Sequence, residues 1–168
     1  MNEELLSKFL AIYGGDASDV RMFMSPGRVN MIGEHTDYNG GYVFPAALEH
    51  ASHIIVRKTN SGKIRLAATD LPDRVELEID RLDSYKDLKW GNYQAGVAYV
   101  LQNHGYEICS CDILYHDTVP LGAGLSSSAA IEVVMALTLA TFSNEAKGIT
   151  DAVDMIEMAK LSQEAEIV

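Results

Sequence analysis

The sequence has 168 residues, of which 48% are hydrophobic and 22% are charged, and this composition is typical of a soluble globular domain. Its formal net charge is −11 at pH 7, which argues against a nucleic-acid or anionic-membrane partner, because phosphate groups are bound by clustered Lys and Arg. A small ligand is compatible with this charge. An anionic ligand would need local cations, backbone N–H groups or a metal ion to offset the overall field.

Three features of the sequence bear on the cell compartment. The two cysteines, Cys109 and Cys111, are poorly placed to bridge each other, so we expect both to be reduced. The opening stretch "MNEELLSKFLAIYGG" has the apolar spacing of an amphipathic helix rather than of a secretion signal. No apolar run approaches the roughly 20 residues of a membrane span. We therefore expect a cytoplasmic protein.

The first half of the chain predicts one helix followed by several strands. In chain order they are a helix over 5–13 ended by Gly14 and Gly15, and strands over 21–25, 42–48, 53–59, 64–68 and 74–80. We expect the Pro26-Gly27 pair to end the first of these strands. The turn "TNSGK" (59–63) predicts that 54–58 and 64–68 pair as a hairpin.

The second half of the chain alternates helix and strand patterns. We predict a helix from Asn92, as its N-cap, to Gly105, a strand over 111–119, and a helix over 126–142. A last helix begins at Asp151, with Thr150 as its cap, and runs to the end of the chain. Without an internal repeat or a low-complexity linker, this order of elements predicts one mixed α+β domain.

The stretch "GRVNMIGEHTDYNGGYVFP" (27–45) contains an unusual set of side chains. Arg28, Glu34, His35 and Asp37 are too polar for a buried strand, whereas Val29, Met31 and Ile32 are out of place in a flexible linker. A polar ligand bound against this segment would explain both groups. The alternative is a solvated loop of charges.

The stretch "PLGAGLSSSAAIEVVMALTLA" (120–140) predicts a phosphate-binding loop. Gly122 and Gly124 permit a tight turn, and the serines that follow precede a good helix, whose N-terminus offers unpaired N–H donors. It is neither a Walker A loop, which needs a Lys after the glycines, nor the dinucleotide or hydrolase-elbow motif, which need a further glycine. The alternative is a capped helix after a tight turn.

The two stretches together resemble a known family. "SPGRVNMIGEHTDYNGGYVFP" (25–45) resembles the galactokinase signature, and "PLGAGLSSSAA" (120–130) resembles the phosphate-binding motif of the wider GHMP kinase superfamily. "WGNYQAGVAYVL" (90–101) is similar to the nucleotide-side helix of that family, and "SQEAE" (162–166) to its magnesium segment. The resemblance implies that residues 1–168 are a GHMP kinase N-terminal domain, an α+β fold like domain 2 of ribosomal protein S5, with a left-handed βαβ crossover.

The resemblance implies a sugar kinase that transfers the γ-phosphoryl group of ATP to the anomeric hydroxyl of galactose. Glu34, His35, Thr36 and Asp37 match the sugar-binding positions, and fixed carboxylate acceptors suit the discrimination of sugar epimers. Arg28 matches an arginine that stabilises the transition state of phosphoryl transfer. For Arg28 alone the alternative is a surface salt bridge.

The resemblance also implies a nucleotide site with Mg²⁺. The matching nucleotide-binding residues are Trp90, Tyr93, Gly122, Ala123, Gly124, Leu125, Ser126, Ser127 and Ser128. Ser128 and Glu166 match the Mg²⁺ ligands, and one hydroxyl and one carboxylate suit a cation that keeps several waters. Without the resemblance, Trp90 and Tyr93 are ordinary core aromatics and Glu166 is a helix-surface carboxylate.

The chain ends before one element that the resemblance implies. The general base of the family is an aspartate in a "GIMDQ"-like segment downstream of the magnesium carboxylate, so we expect residues 1–168 alone to be inactive. We also expect self-association through helix faces left bare, with Val134, Leu137 and Leu161 as exposed apolar residues. Two alternative functions stay open: a kinase of N-acetylgalactosamine or arabinose, and a sensor that binds galactose and ATP without turnover.

Overall fold

The elements of the fold follow the alternating patterns of the sequence. A computed structural model describes residues 2–33, 35–36, 39–85, 87–120 and 124–167. The helices are α1 (Glu3–Tyr13), α2 (Asn92–Asn103), α3 (Ser127–Ala146) and α4 (Met155–Ala165), and short 3₁₀ helices span Ile79–Ser84 and Lys89–Gly91. The strands are β1 (Arg21–Ile32), β2 (Phe44–Lys58), β3 (Lys63–Ala68), β4 (Val75–Glu78) and β5 (Cys111–Asp117).

The five strands form one sheet with helices on both faces. The strand order is β1-β2-β5-β3-β4; β3 and β5 are parallel and the other neighbours are antiparallel. Along β2, Ile54 and Val56 belong to the main core with α2, α3 and α4, whereas Ile55 belongs to a second core beneath α1. This arrangement confirms the predicted α+β class. The handedness of the connection between β3 and β5 stays a prediction.

The first strand does not end at the Pro26-Gly27 pair, and that prediction is wrong. β1 continues to Ile32, with a register shift between Pro26, which lies opposite Ala51, and Arg28, which lies opposite Ala47. β1 lies at the edge of the sheet, where a proline need not donate to a neighbouring strand. The irregularity changes the direction of the strand just before Arg28.

The predicted hairpin of 54–58 with 64–68 is also wrong. β2 and β3 are separated by β5, which pairs with both, and β2 is one strand over Phe44–Lys58 rather than two. The turn at 59–62 exists, but it opens around the start of β5: Thr59 N–H donates to the Ser110 carbonyl at 2.9 Å and Gly62 N–H to the Ser110 hydroxyl at 2.9 Å. A local turn signal does not reveal a strand inserted from elsewhere in the chain.

Two predicted helix caps are different in the structure. Asn92 is the first residue of α2, and its side-chain oxygen accepts the N–H of Leu88 at 2.6 Å instead of capping the helix. α4 begins at Met155, four residues after the predicted start, because the Asp154 carboxylate accepts the N–H of Ile156 at 2.9 Å. The loop before α4 therefore contains Thr150.

The helix α3 crosses the main core. Within the described residues, α3 has the length and apolar composition of a membrane span, so the expectation that no segment does is wrong. Most of the helix is nevertheless buried in the domain, which accounts for that composition. The expected exposure of Val134 and Leu161 is wrong too, because both pack in the main core, and Leu137 is half-buried.

Candidate active site

The loop before α3 adopts a conformation that opens the helix N-terminus. Gly124 has a φ of 70°, and Ser126, the N-cap residue, has left-handed angles of φ 58° and ψ 46°. Such angles are rare for a residue with a side chain and cluster at functional sites. Ser126 forms no side-chain cap bond in the part of the chain that is described, which leaves the first N–H groups of α3 to a ligand. Gly122 and Ala123 lie outside the described residues.

The serine loop lines an open cleft of about 480 Å³. Its described lining consists of Tyr93, Pro120, Gly124, Leu125, Ser126, Ser127, Ser128 and Ile131. A second cleft of about 410 Å³ has Tyr93 as a shared wall and also includes Tyr85, Tyr99 and Glu166. Tyr93 therefore lies between the serine loop and the cleft that contains Glu166. The sequence prediction grouped these three features; in the structure, Tyr93 lines both clefts, whereas the serines and Glu166 line different ones.

Trp90 has a different environment from Tyr93. Its ring packs against the main core and meets Tyr115 edge-on, with 6.5 Å between the ring centroids. Its indole nitrogen is buried and has no hydrogen-bond partner among the described residues. Tyr93 is 41% exposed. The exposed ring of Tyr93 is thus the better placed of the two to contact a nucleotide, whereas Trp90 supports the core behind it.

The loop after β1 is held by its own hydrogen bonds. The Thr36 hydroxyl lies 2.7 Å from the Gly33 carbonyl oxygen and 3.0 Å from that of Tyr42, and the Asn39 amide donates to the His35 carbonyl at 2.9 Å. His35 is exposed with a left-handed φ of 60°. Thr36 therefore closes the loop with its hydroxyl, while His35 faces outward. The predicted sugar ligands Glu34 and Asp37 lie outside the described residues.

The glycine at the start of this loop is required by its geometry. Gly33 has a φ of 102°, and a Cβ atom there would lie 2.6 Å from the Tyr42 carbonyl oxygen. At Gly41 a Cβ atom would lie 2.8 Å from Cβ of Thr36. The two ends of the loop therefore approach each other closely, which only glycine allows.

Arg28 links the sugar-signature strand to the serine loop. Its backbone N–H donates to the Leu125 carbonyl oxygen at 3.1 Å, and its guanidinium donates to the side-chain oxygen of Asn30 at 2.8 Å. At Gly27 an added Cβ would lie 3.0 Å from the same Leu125 oxygen and 3.2 Å from a methyl group of Val119. The Arg28 side chain is exposed beside this junction.

Sequence reasoning missed a buried acid next to the predicted metal ligands. Glu132 on α3 is 1% exposed, and its Oε1 has no hydrogen-bond partner within the described ranges. Burial, and to a lesser degree the charge of Glu166, raise the pKa of Glu132 to about 8. The signal was present in the sequence, since Glu132 is the one charged residue in "SSSAAIEVVMALTLA".

No group of three or more His, Cys, Asp or Glu side chains that could hold a metal ion occurs in the part of the chain that the structure describes. A metal site here would therefore combine carboxylates with hydroxyl groups and water. The unpartnered Glu132 oxygen and the nearby charge of Glu166 fit a hard divalent cation, which prefers oxygen ligands and tolerates waters.

Comparisons with known proteins agree with this geometry. Residues 7–58 match the galactokinase galactose-binding signature, and residues 92–168 match the GHMP kinase N-terminal domain. The solved galactokinase of Lactococcus lactis, in complex with galactose, superposes with a TM-score of 0.86 at 34% identity, covering 97% of this chain and 41% of that one. Mevalonate kinase of Methanococcus jannaschii has a TM-score of 0.70 at 22% identity over 90% of this chain and 47% of its own, which is a likeness of fold.

The fold and the two matched regions thus define the class, which is that of the GHMP kinases. The curated galactokinase of Clostridium tetani is 42% identical over 163 residues, which are 97% of this chain and 40% of the relative. That of Bacillus subtilis is 39% identical over 169 aligned residues, 99% of this chain and 42% of the relative. The chain belongs to the galactokinase family within that class. It spans about 40% of the length of these curated relatives.

Proposed function

We propose that the protein carrying this chain transfers the γ-phosphoryl group of ATP to the anomeric hydroxyl of galactose. One observation carries the proposal: the N–H of Arg28, on the strand that leads into the sugar signature, bonds the Leu125 carbonyl of the serine loop at 3.1 Å. Phosphoryl transfer needs its acceptor and its donor side by side, and this contact joins the segments that would hold them.

The sugar would be held by the loop after β1. We assign sugar binding to Glu34, His35, Thr36 and Asp37, with the two carboxylates accepting hydrogen bonds from ring hydroxyls. The Thr36 hydroxyl lies within 3.0 Å of two backbone carbonyls, so this hydroxyl would fix the conformation of the loop. Any contact of Thr36 with the sugar would then involve the other atoms of the residue. The positive φ of His35 marks a turn of the backbone at that residue.

The phosphates would lie against the N-terminus of α3. The N–H groups there, with the hydroxyl groups of Ser126, Ser127 and Ser128, are donors suited to phosphate oxygens. We assign Gly122, Ala123, Gly124 and Leu125 to the turn around the phosphates. The exposed guanidinium of Arg28 would meet the charge that develops on the transferred phosphoryl group, and Asn30 orients it through one hydrogen bond.

The remaining parts of the proposed site would bind the adenine of ATP and the metal ion. Tyr93 would contact the adenine from the cleft wall, with Trp90 behind it. Ser128 and Glu166 would hold Mg²⁺, which when bound neutralises charge on the phosphates. An acidic chain needs such a cation, since its overall charge of −11 repels ATP. We place the reaction in the cytoplasm, where ATP is abundant.

The experiment that tests the proposal is a coupled assay on the full-length protein with ATP, Mg²⁺ and a panel of sugars. Galactose should support turnover far better than N-acetylgalactosamine or arabinose. Turnover with either of those two sugars instead would favour a kinase of another sugar. Tight binding of galactose and ATP without turnover would favour a sensor.

Residues 1–168 produced alone offer a second comparison. We predict no turnover above background, because the resemblance places the general base beyond the segment that contains Glu166, and a positioned base contributes about 10²–10⁴-fold. Self-association also stays a prediction; since Val134 and Leu161 are buried, exposed apolar residues such as Ile156 (69% exposed) and Met155 (47%) would have to mediate it. Light scattering should then report a species heavier than 18.4 kDa.

A further inference from the structure

We infer that Glu132 is a third oxygen ligand, with Ser128 and Glu166, for the divalent cation of this site. The inference rests on the proposed function, because it concerns the cation that would accompany ATP. It goes beyond the resemblance, which matches only Ser128 and Glu166 to metal ligands. The relevant observations are the burial of Glu132, its position on α3 and the nearness of a second acid.

The burial of Glu132 is costly without a partner. Its side chain is 1% exposed in the main core region of α3, and Oε1 accepts no hydrogen bond from the described residues. A buried, unpaired carboxylate normally costs several kcal/mol, so such groups are usually paired or coordinate a metal. A divalent cation would remove that cost.

The helix positions Glu132 correctly for this role. Ser128 and Glu132 are four residues apart on α3, so their side chains project from the same face in successive turns. Ser128 lines the cleft of the serine loop, and Glu132 therefore lies one turn deeper than the phosphate-binding end. We expect a cation held by Ser128 to lie on the helix face that also carries Glu132.

The third proposed ligand comes from a neighbouring helix. Glu166 follows the last residue of α4, which packs against α3 and α2. The approach of α2 and α4 is close here, since a Cβ added at Gly96 would lie 3.1 Å from the Ala165 carbonyl oxygen. Two acids and one hydroxyl, supplied by α3 and α4, leave room for phosphate oxygens and water around the cation.

The test is a Mn²⁺-binding titration, followed by electron paramagnetic resonance, on the full-length protein without nucleotide. Glu132→Gln keeps the size of the side chain but removes its charge, and Glu164→Gln is the matched control, because Glu164 is exposed on α4 and pairs with His104. We expect Glu132→Gln and Glu166→Gln each to raise the Mn²⁺ dissociation constant at least tenfold. Glu164→Gln should stay within twofold of the parent.

A second measurement guards against misfolding. In EDTA, Glu132→Gln should unfold at the same temperature as the parent or higher, because an amide is cheaper to bury than a carboxyl without a partner. Added Mn²⁺ should raise the unfolding temperature of the parent more than that of the variant. A variant that melts well below the parent in EDTA would contradict the inference, because Glu132 would then be a structural residue.

The outcomes separate this inference from the function on which it rests. If Glu166→Gln weakens Mn²⁺ binding and Glu132→Gln does not, the role of Glu132 is overturned and the proposed kinase is unaffected. If neither variant changes Mn²⁺ binding, the whole metal assignment is overturned. Galactose-dependent consumption of ATP by the parent, measured separately, reports on the proposed function alone.

Discussion

Arg28 donates its backbone N–H to the carbonyl oxygen of Leu125 across 3.1 Å, so the edge strand and the loop before α3 are directly bonded. The contact depends on Gly27, where a Cβ atom would come within 3.0 Å of the same oxygen. The irregular register of β1 between Pro26 and Arg28 is therefore a positioning feature rather than a break in the strand. It brings the backbone of Arg28 against the serine loop.

Replacing the Arg28 side chain should affect the chemical step. In the full-length protein, we expect Arg28→Ala to lower kcat by about 10²–10³-fold, the usual cost of losing one preorganised donor to transition-state charge. The backbone N–H that bonds Leu125 remains, so the KM values for galactose and ATP should change by only a few fold. Arg28→Lys keeps the positive charge but lacks the planar guanidinium group. We expect its kcat to lie between those of the parent and of Arg28→Ala. An unchanged kcat in Arg28→Ala would exclude this role.

Removing the Asp37 carboxylate should affect sugar binding. We expect Asp37→Ala to raise the galactose KM strongly, since a charge-assisted hydrogen bond contributes roughly 1.5–3 kcal/mol, and to leave ATP affinity nearly unchanged. Asp151→Ala, at an exposed position before α4, is the control for loss of one negative charge. Steady-state kinetics with each substrate varied in turn give both values. Equal galactose KM values in Asp37→Ala and the parent would refute the assignment.

Changes at Gly124 should act through the backbone. No described atom lies within 4 Å of a Cβ added there, so the space around Gly124 does not by itself require a glycine. The φ of 70° is the constraint, and a β-branched residue tolerates it poorly. We expect Gly124→Val to weaken ATP binding at least tenfold and Gly124→Asn to weaken it less, because Asn enters the left-handed region more readily. Calorimetry should rank the variants in that order, and equal affinities would exclude a role for the loop conformation.

The sequence predicted the class of fold but not the pairing of the strands. α1, β4, β5 and α3 were recognised because each is decided by its own periodicity or by adjacent glycines. The inserted position of β5 between β2 and β3 depends on contacts with residues far along the chain, which a turn signal at 59–63 does not report. The passage of β1 through Pro26 depends on its place at the sheet edge, which is likewise a tertiary property.

The residues of the candidate site were predicted from four segments that resemble one family. The serine loop, Tyr93 and Glu166 were named from the sequence and line adjoining clefts. The contact between Arg28 and Leu125 could not be predicted, because it joins residues almost a hundred positions apart. Glu132 was passed over although it interrupts an apolar helix, a pattern that marks a buried acid only once the burial of that helix face is known.

The stability of the domain should depend on the ionisation of Asp117, which ends β5 just before the serine loop. Burial raises its pKa above the ordinary 3.8, an effect partly offset by Ser52. The stabilisation linked to this proton is therefore complete below about pH 3.8 and is lost as the pH rises through the raised pKa of the folded state. Asp117→Asn should be no less stable than the parent at pH 7, and its advantage should shrink towards pH 4.

Thermal unfolding at several pH values measures this difference. Asp19→Asn, at an exposed position before β1, is the control for the loss of one carboxylate. A constant difference between Asp117→Asn and the parent from pH 4 to pH 7 would show that Asp117 does not titrate differently on folding.

The most direct test of the proposed function is ³¹P nuclear magnetic resonance of the product made by the full-length protein. The protein is incubated with ATP, Mg²⁺ and an equimolar mixture of galactose, N-acetylgalactosamine and arabinose. We predict one new phosphate ester, on the anomeric oxygen of galactose, and its loss in Arg28→Ala over the same time. Phosphorylation of another sugar or another hydroxyl, or no ester at all, would contradict the account.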